Sequence, residues 1–392
     1  MAGVYKKRKA QVQNMKRIWI WLLLLVLLCL VPSATAQANE NGSTEAYDDV
    51  DYGPIQNVVD DILGKNNEFD FKEYVGQIIS GEKKLSFMDL LEELRGSVRS
   101  EWKVRRTILV QLLSVTILAA VFSNFSTVFD KNQVSEMSFY ISYLLIFSLL
   151  AGMFAIASGI VTNALANLLN FMKVLIPTYF IAMSFANGAV TSAFFYESTL
   201  LIIGAVELVL LHVIIPMIQV LFGLVLANNL SGQDRLSKFI DLIRTAISWL
   251  QKTMFAAVIG YHVIQGMLVP VAEYVKKSAL LKVTSFIPGV GSGIASVAET
   301  VLGAGILLKN TIGMVGLFFI IFLVLVPVVK MGILTLICAF TNAVTQPISD
   351  RRMTRCMSGS ETALKLLFST MIMGAALFVI TIAMITNATG IK

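Results

Sequence analysis

Residues 311–329 read TIGMVGLFFIIFLVLVPVV, a run without a single charged side chain. A helix rises about 1.5 Å per residue, so a run of this length can cross the hydrocarbon core of a bilayer, which is about 30 Å thick. Similar runs recur along the chain and predict an integral membrane protein with seven or eight spans. The candidate spans are 107–129, 139–161, 165–187, 198–227, 254–275, 283–308, 311–346 and 363–386.

The composition of the chain agrees with this prediction. Of its 392 residues, 56% are hydrophobic and 14% are charged, whereas average soluble domains carry about 25% charged residues. The net charge of +6 comes from short clusters beside apolar runs and not from one basic surface, so no nucleic-acid binding is expected. Three scattered cysteines and two histidines predict neither a disulfide framework nor a metal site.

The N-terminus has the parts of a secretory signal peptide. A basic pair precedes the apolar run Ile18–Leu30, and Ala34 and Ala36 supply small residues for a cleavage site. Because this apolar run is short for a stable span, cleavage after Ala36 is favoured over a retained anchor. Residues 1–36 are therefore assigned to a signal peptide.

Residues 37–106 are predicted to lie outside the cytoplasm. Their first part is polar and rich in Asn, Glu and Asp, which is typical of a disordered linker. The second part predicts short amphipathic helices, because Leu90, Leu94, Val98 and Trp102 recur at i+4 spacing and form one apolar stripe. Such a small region is expected to dock on another surface, and residues 107–392 are assigned to the transmembrane domain.

Two of the predicted spans are irregular. The segment 283–308 contains residues that would break a helix and could form a re-entrant turn, in which case the chain has seven spans. The turn residues are Pro288, Gly289, Gly291 and Gly293. The segment 311–346 is too long for one straight span and contains Pro327, which predicts a kinked or broken helix.

The segment between the fourth and fifth spans has one apolar helical face, with basic residues over much of the remainder. This pattern is typical of a helix in the membrane interface, and equally of a surface helix that packs on the bundle. The apolar face comprises Leu236, Phe239, Ile240, Ile243, Ile247 and Leu250.

Two stretches resemble each other at an offset of roughly 110–117 residues. Asp234 parallels Asp350, and residues 245–254 parallel residues 362–371. If each copy holds three spans, the odd number gives the copies opposite orientations, as in the inverted repeats of transporters. The alternative is that three-helix units pack well for reasons unrelated to transport.

The charge distribution leaves the membrane orientation open. A cleaved signal peptide places residue 37 outside, and eight crossings then place the basic loop 347–362 inside, as the positive-inside rule prefers. The same scheme leaves seven basic residues outside, against that rule: Lys103, Arg105, Arg106, Arg235, Lys238, Arg244 and Lys252. The C-terminus is outside with eight spans and inside with seven.

Ionisable side chains within spans cost about 2.5–3.5 kcal/mol at the bilayer centre and are candidates for function. Glu207, Glu299 and Lys330 are predicted either to line a pathway or to pair between helices, and Glu207 is the deepest in an apolar run. Lys173 and Lys365 lie near span ends, where their side chains are expected to reach the interface. The sequence has no P-loop, nucleophile elbow or zinc-protease motif, so we predict no enzyme activity and no cofactor.

Several motifs resemble the stage III sporulation protein AE family over nearly the whole chain. These are Thr284-Ser-Phe-Ile-Pro288, Glu299-Thr, Leu308-Lys-Asn310 and Gln346-Pro-Ile-Ser-Asp-Arg-Arg352. The resemblance implies a multi-pass component of the channel complex in the mother-cell membrane that surrounds the forespore. It implies as partners membrane lipid and the other proteins of that complex, including a secretion-type ATPase. It carries over no catalytic residue.

Three functions therefore remain open at the level of the sequence. The leading one is a membrane component of a multi-protein transport or secretion channel. The second is a scaffold that anchors partners and conducts nothing, and the third is a stand-alone secondary transporter. The sequence contains no energy source of its own, so any transport would be driven by a gradient or by a partner ATPase.

Overall fold

A computed structural model describes residues 50–63, 69–80, 87–126, 132–187, 189–230, 235–284 and 291–388. Within these ranges the regular structure is entirely helical, as the sequence predicts. In chain order the helices are α1 (Gly53–Leu63), α2 (Phe71–Ile79), α3 (Phe87–Ser126), α4 (Asn132–Asn187), α5 (Ala189–Glu207), a π-helical segment (Leu208–Ile214), α6 (Ile215–Leu230), α7 (Ser237–Thr284), α8 (Gly291–Thr345) and α9 (Arg351–Ala388). The predicted signal peptide lies outside the described residues.

Five stretches of the described helices are long and apolar enough to cross a membrane. They are Leu94–Phe122, Phe139–Phe185, Ser192–Leu230, Gly303–Thr345 and Arg351–Thr386. The chain is thus a membrane protein by its apolar helices, but the predicted count of seven or eight spans is not confirmed. The predicted span 254–275 lies in α7, which is not among the five.

Apart from the predicted span in α7, the difference in span number comes from the continuity of two helices. α4 has 56 residues and is therefore about 84 Å long, so the predicted spans 139–161 and 165–187 form one rod that cannot turn back. α8 has 55 residues and likewise joins most of 283–308 to 311–346. A prediction from hydropathy divides such a long apolar helix into segments of bilayer length. The backbone hydrogen bonds nevertheless continue from one segment to the next.

The structure describes part of the two irregularities predicted for α8, the re-entrant turn and the kink or break at Pro327. Gly291 and Gly293 lie in the first turn of α8, while Pro288 and Gly289 lie outside the described residues. Of the two alternatives predicted at Pro327, a kink or a break, the break is wrong, because α8 continues through this residue as a helix. A proline removes one backbone donor, and packing against neighbouring helices can hold the remaining hydrogen bonds in place.

The bundle is built around α4, α8 and α9. α8 packs along both α4 and α9, and α9 also contacts α6 and α7. α4 and α6 run antiparallel, because Phe154 stacks on Phe222 at 3.9 Å while the Tyr143 hydroxyl donates to the Leu226 carbonyl. The core is therefore formed by side chains that adjacent long helices share over several turns.

α7 and α9 run parallel to each other. The Gln251 amide donates to Thr370 Oγ1 at 2.8 Å, and eleven residues further along both helices His262 Nε2 lies 2.9 Å from Thr381 Oγ1. An inverted repeat places these two helices at equivalent positions of oppositely oriented copies. The predicted inversion is therefore wrong for this pair, and the sequence likeness between them does not reflect opposed orientation.

The basic segments between α6 and α7 and between α8 and α9 lie at the same end of the bundle, which we call the basic end. Gly359 in α9 lies against Val225 near the end of α6, and the Arg352 guanidinium lies 4.8 Å from the centre of the Phe139 ring near the start of α4. The first turn of α7 is tied to α6, since the Leu236 amide donates to Asn228 Oδ1 at 2.8 Å. The opposite sides that eight crossings assign to these two basic segments therefore follow from the number of spans assumed.

The helices α1 and α2 dock on the bundle. Phe71 is fully buried and lies 6.4 Å, between ring centres, from Phe171 of α4, while Phe69 lies 5.3 Å from Phe319 of α8. The Gln56 side chain joins α1 to the start of α2 by donating to the Phe69 carbonyl and accepting from the Phe71 amide, both at 2.9 Å. The second part of the predicted external region therefore packs on its own chain.

The apolar stripe predicted on α3 faces outward. Leu94, Val98 and Trp102 are all exposed, and α3 continues without interruption through the predicted boundary between residues 106 and 107. The apolar face predicted at the start of α7 behaves differently. Ile240 and Ile247 are buried against the bundle while Phe239 is exposed, which favours the packed surface helix.

Candidate functional site: charged pairs between long helices

An ion pair joins α4 to the end of α5. Lys173 Nζ lies 2.7 Å from Glu207 Oε2, and both residues lie within stretches apolar enough to cross a membrane. The Lys173 side chain is 43% exposed and the Glu207 side chain 30% exposed. The structure therefore places Glu207 in an interhelical pair on the outer surface of the bundle, and Lys173 pairs with it instead of reaching for the interface.

Both helices are irregular beside this pair. Pro177 follows Lys173 by one turn and has no N–H to donate to the Lys173 carbonyl. The π-helical segment begins directly after Glu207, and the Ile215 amide at its end donates to the Leu210 carbonyl five residues back. Pro216 cannot donate to the carbonyl four residues before it, and a wide turn relieves the crowding. Single-turn π-helical insertions of this kind are frequent at functional sites.

A second charged cluster joins α3 to α8. Glu101 lies 3.3 Å from Lys330 Nζ and 2.9 Å from Arg105 Nε, so one carboxylate serves two cations. Its side chain is only 15% exposed. Lys330 was predicted from the sequence as an intramembrane charge, but its partner was not, because Glu101 falls in the region assigned outside the membrane.

A third cluster lies near the basic end, where α8 turns into α9. Glu361 pairs with Lys365 one turn along α9 and accepts a hydrogen bond from the Asn342 amide of α8 at 2.8 Å. Cys338 and Cys356 are both buried and unbridged. Lys365 therefore has a carboxylate partner on its own helix.

Lys309 is fully buried in α8, and the sequence prediction missed it. The sequence places Lys309 in a connection between two spans, where a lysine needs no explanation. One signal could have placed Lys309 within a helix. The apolar face continues past it through Leu308, Ile312 and Val315, which are all buried. A buried lysine inside a membrane bundle is costly and must be held by polar neighbours.

Two further ionisable residues lie in the long helices, His262 in α7 and Glu299 in α8. His262 is buried, and its Nδ1 and Nε2 lie 3.0 and 2.9 Å from Gln265 Oε1 and Thr381 Oγ1, so it is a hydrogen-bonded core residue between α7 and α9. Glu299 lies in α8, but its side chain is outside the described part of the chain. Among the residues described, no three His, Cys, Asp or Glu side chains gather as metal ligands would.

Together these features define the class of the protein: an all-helical, multi-pass membrane protein with charges paired between and along its long helices. Residues 69–389 match the family described as stage III sporulation protein AE. The chain belongs to this family, as its motifs predict.

A similar curated protein is Stage III sporulation protein AE of Bacillus subtilis (strain 168). It is 23% identical over 313 residues, which cover 80% of this chain and 78% of the relative. No solved structure matches the chain significantly. The family membership supports a role in sporulation.

Proposed function

We propose that the chain is a membrane-embedded component of a multi-protein transport or secretion channel between the mother cell and the forespore. Its place would be the mother-cell membrane around the forespore, and its partners the other proteins of the channel complex, including a secretion-type ATPase. Family membership supports the sporulation role. The proposed part in transport rests on the protein's own charged pairs.

The observation that carries the proposal is the partly exposed pair of Lys173 and Glu207 within apolar stretches of α4 and α5. Charges at membrane depth face the interior of a bundle, a partner or a water-filled cavity, because lipid does not solvate them. Contact of this pair with a water-filled path is what the transport role requires, whereas contact with an anchored partner is what the scaffold alternative requires. We take the pair as part of a polar path, and the following variants decide between this role and scaffolding.

Glu207→Ala and Glu299→Ala test transport against scaffolding. For Glu207→Ala we expect sporulation to fail while the partner proteins still co-purify with the variant, because the change removes a pathway charge and not a docking surface. Asp241→Ala is the matched control, since Asp241 is exposed and pairs only locally with Arg244. Sporulation at the wild-type level in Glu207→Ala would support the scaffold, and transport by the purified protein alone in vesicles would support a stand-alone transporter.

We also propose that the basic end faces the cytoplasm. The rods α3, α4, α5 with α6, α7, α8 and α9 then cross in alternate directions, with the start of α3 and the end of α9 outside. α7 is counted as a sixth crossing because it runs parallel to α9. This orientation puts the basic segments before α7 and before α9 inside, as the positive-inside rule prefers, and it agrees with the predicted signal peptide. It leaves Lys276, Lys277 and Lys282 at the end of α7 outside, against that rule. The proposed orientation places Arg235, Lys238 and Arg351 on the cytoplasmic side of the membrane.

The orientation predicts that single cysteines at Lys238 and Arg351 react from the same side of the membrane. Both positions are exposed, and Glu73, which is exposed on α2, serves as the external control. In a background without the natural cysteines, an impermeant maleimide should label Glu73→Cys in intact cells and the other two only after permeabilisation. Labelling of Lys238→Cys and Arg351→Cys from opposite sides would contradict the orientation and restore the inverted repeat.

A further inference from the structure

The outward side of α3 carries a row of four cations. Their spacing of four, four and three residues keeps them on one helical face, opposite the buried side chains of Glu101 and Leu112. All four are exposed, and none forms an ion pair with another residue that the structure describes. We call them the cation row: Arg95, Arg99, Lys103 and Arg106.

The cation row is suited to an anionic occupant. Like charges one turn apart on a helix repel one another, so a counter-ion laid along the row would relieve that repulsion. Glu92 precedes Arg95 by three residues in the sequence, and the three cations farther along α3 therefore carry most of the argument.

Lipid headgroups can cover only one end of the row. The run 107–126 has no charged residue and begins directly after Arg106, so the row extends away from the part of α3 that suits lipid. From Arg95 to Arg106 the helix rises about 16 Å, whereas the headgroup region on each side of the hydrocarbon core is only about 5–7 Å thick. Headgroups therefore leave Arg95 and Arg99 without an anion.

The chain itself supplies an acidic segment that can reach the row. Residues 37–51 contain no basic residue, and the structure holds their end on the bundle, since Val50 and Tyr52 are buried. α1 and α3 both pack on α4, so about one helix width, 10–12 Å, separates them. Residues 37–49 can extend over about 44 Å. The acidic residues of the segment are Glu40, Glu45, Asp48, Asp49 and Asp51.

We propose that residues 37–49 lie along the cation row and cover it within the same chain. Exposed ion pairs are individually weak, but attachment at Val50 gives the segment a high effective concentration at the row. Tyr47 can pack on Trp102, which is 45% exposed beside the row. The segment thus shields the cations of α3 from other anions.

The first experiment measures how fast N-ethylmaleimide, a neutral reagent, labels Lys103→Cys. The chain without its natural cysteines is purified and placed in vesicles of phosphatidylcholine. Replacing the acids at 40, 45, 48 and 49 by their amides should raise the rate by about three- to ten-fold, because weak pairs give a partial cover. Ionic strength of about 1 M should act in the same way, since the Debye length falls to about 3 Å. Lys252→Cys on α7, also exposed, is the matched control and should not respond.

An unchanged labelling rate in the amide variant would overturn the proposal. If phosphatidylglycerol added to the vesicles then slows the labelling of Lys103→Cys, lipid headgroups cover the row instead of the acidic segment.

Disulfide formation tests direct contact between the segment and the row. Asp48→Cys combined with Arg99→Cys should form an intrachain disulfide on mild oxidation, detected by mass spectrometry of the joined peptides, whereas Asp48→Cys combined with Lys252→Cys should not. Absence of the first disulfide, or an equal yield of both, would contradict the contact. The proposal goes beyond the transport role and is tested apart from it, because Glu207→Ala changes neither the segment nor the row.

Discussion

Glu101→Ala is expected to destabilise the protein far more than Lys330→Ala, although the two residues form one ion pair. Glu101 binds both Lys330 and Arg105, so its removal leaves two cations without a counter-ion. Removal of Lys330 leaves Glu101 paired with Arg105. Breaking a buried pair by removing one partner typically costs about 3–5 kcal/mol, and the low exposure of Glu101 and Arg105, 15% and 11%, places Glu101→Ala toward that range.

The quantity measured is the apparent melting temperature of the purified variants in detergent. It is determined by size-exclusion chromatography of samples heated to a series of temperatures. Glu101→Ala should lower it strongly, Lys330→Ala slightly, and Lys330→Met least, because methionine retains the apolar stem that packs along the helix. Arg244→Ala is the control, since its pair with Asp241 lies on the exposed side of α7. Equal losses for Glu101→Ala and Lys330→Ala would show that Arg105 does not share the carboxylate.

Gly359→Ala is expected to be the second strongly destabilising change. A methyl group at Gly359 of α9 would overlap the side chain of Val225 on α6. Valine is branched at Cβ and has few rotamers into which it can retreat, so the two helices must move apart. Overpacking of this kind typically costs about 1–3 kcal/mol.

The chain offers a matched control and a rescue for this change. Gly223→Ala on α6 meets no atom within 4 Å and should be neutral or stabilising by up to about 1 kcal/mol, because alanine is the better helix former. Val225→Ala combined with Gly359→Ala should recover much of the lost thermal stability. If the double variant is no more stable than Gly359→Ala alone, the close approach of α6 and α9 is not at this point.

These two predictions concern what holds the bundle together and not what passes through it. The clusters around Glu101 and Glu361 tie helix to helix with most of the carboxylate covered. The pair of Lys173 and Glu207 is more open and stands beside two proline-disturbed helices. That difference separates a structural role for the clusters around Glu101 and Glu361 from the proposed functional role of the Lys173–Glu207 pair.

The family, the helical class and the membrane setting could be predicted from the sequence. Runs such as 311–329 are too long and too apolar for any other environment, and local hydrogen bonding within lipid permits only helices or closed barrels. Lys330 and Glu207 were identified as candidates because a charge within an apolar run is visible without a fold. These are properties of short stretches of chain, and the chain alone determines them.

Three features depended on the tertiary structure: which residues form ion pairs, in which direction neighbouring helices run, and where one helix ends and the next begins. Whether 139–161 and 165–187 are two spans or one rod, whether α7 and α9 run parallel, and which carboxylate neutralises Lys330 all depend on packing between segments far apart in sequence. Lys309 is buried only because α8 continues past it. Hydropathy measures the affinity of a segment for lipid, whereas the arrangement of helices is set by contacts, such as Gly359 against Val225, that no single segment contains.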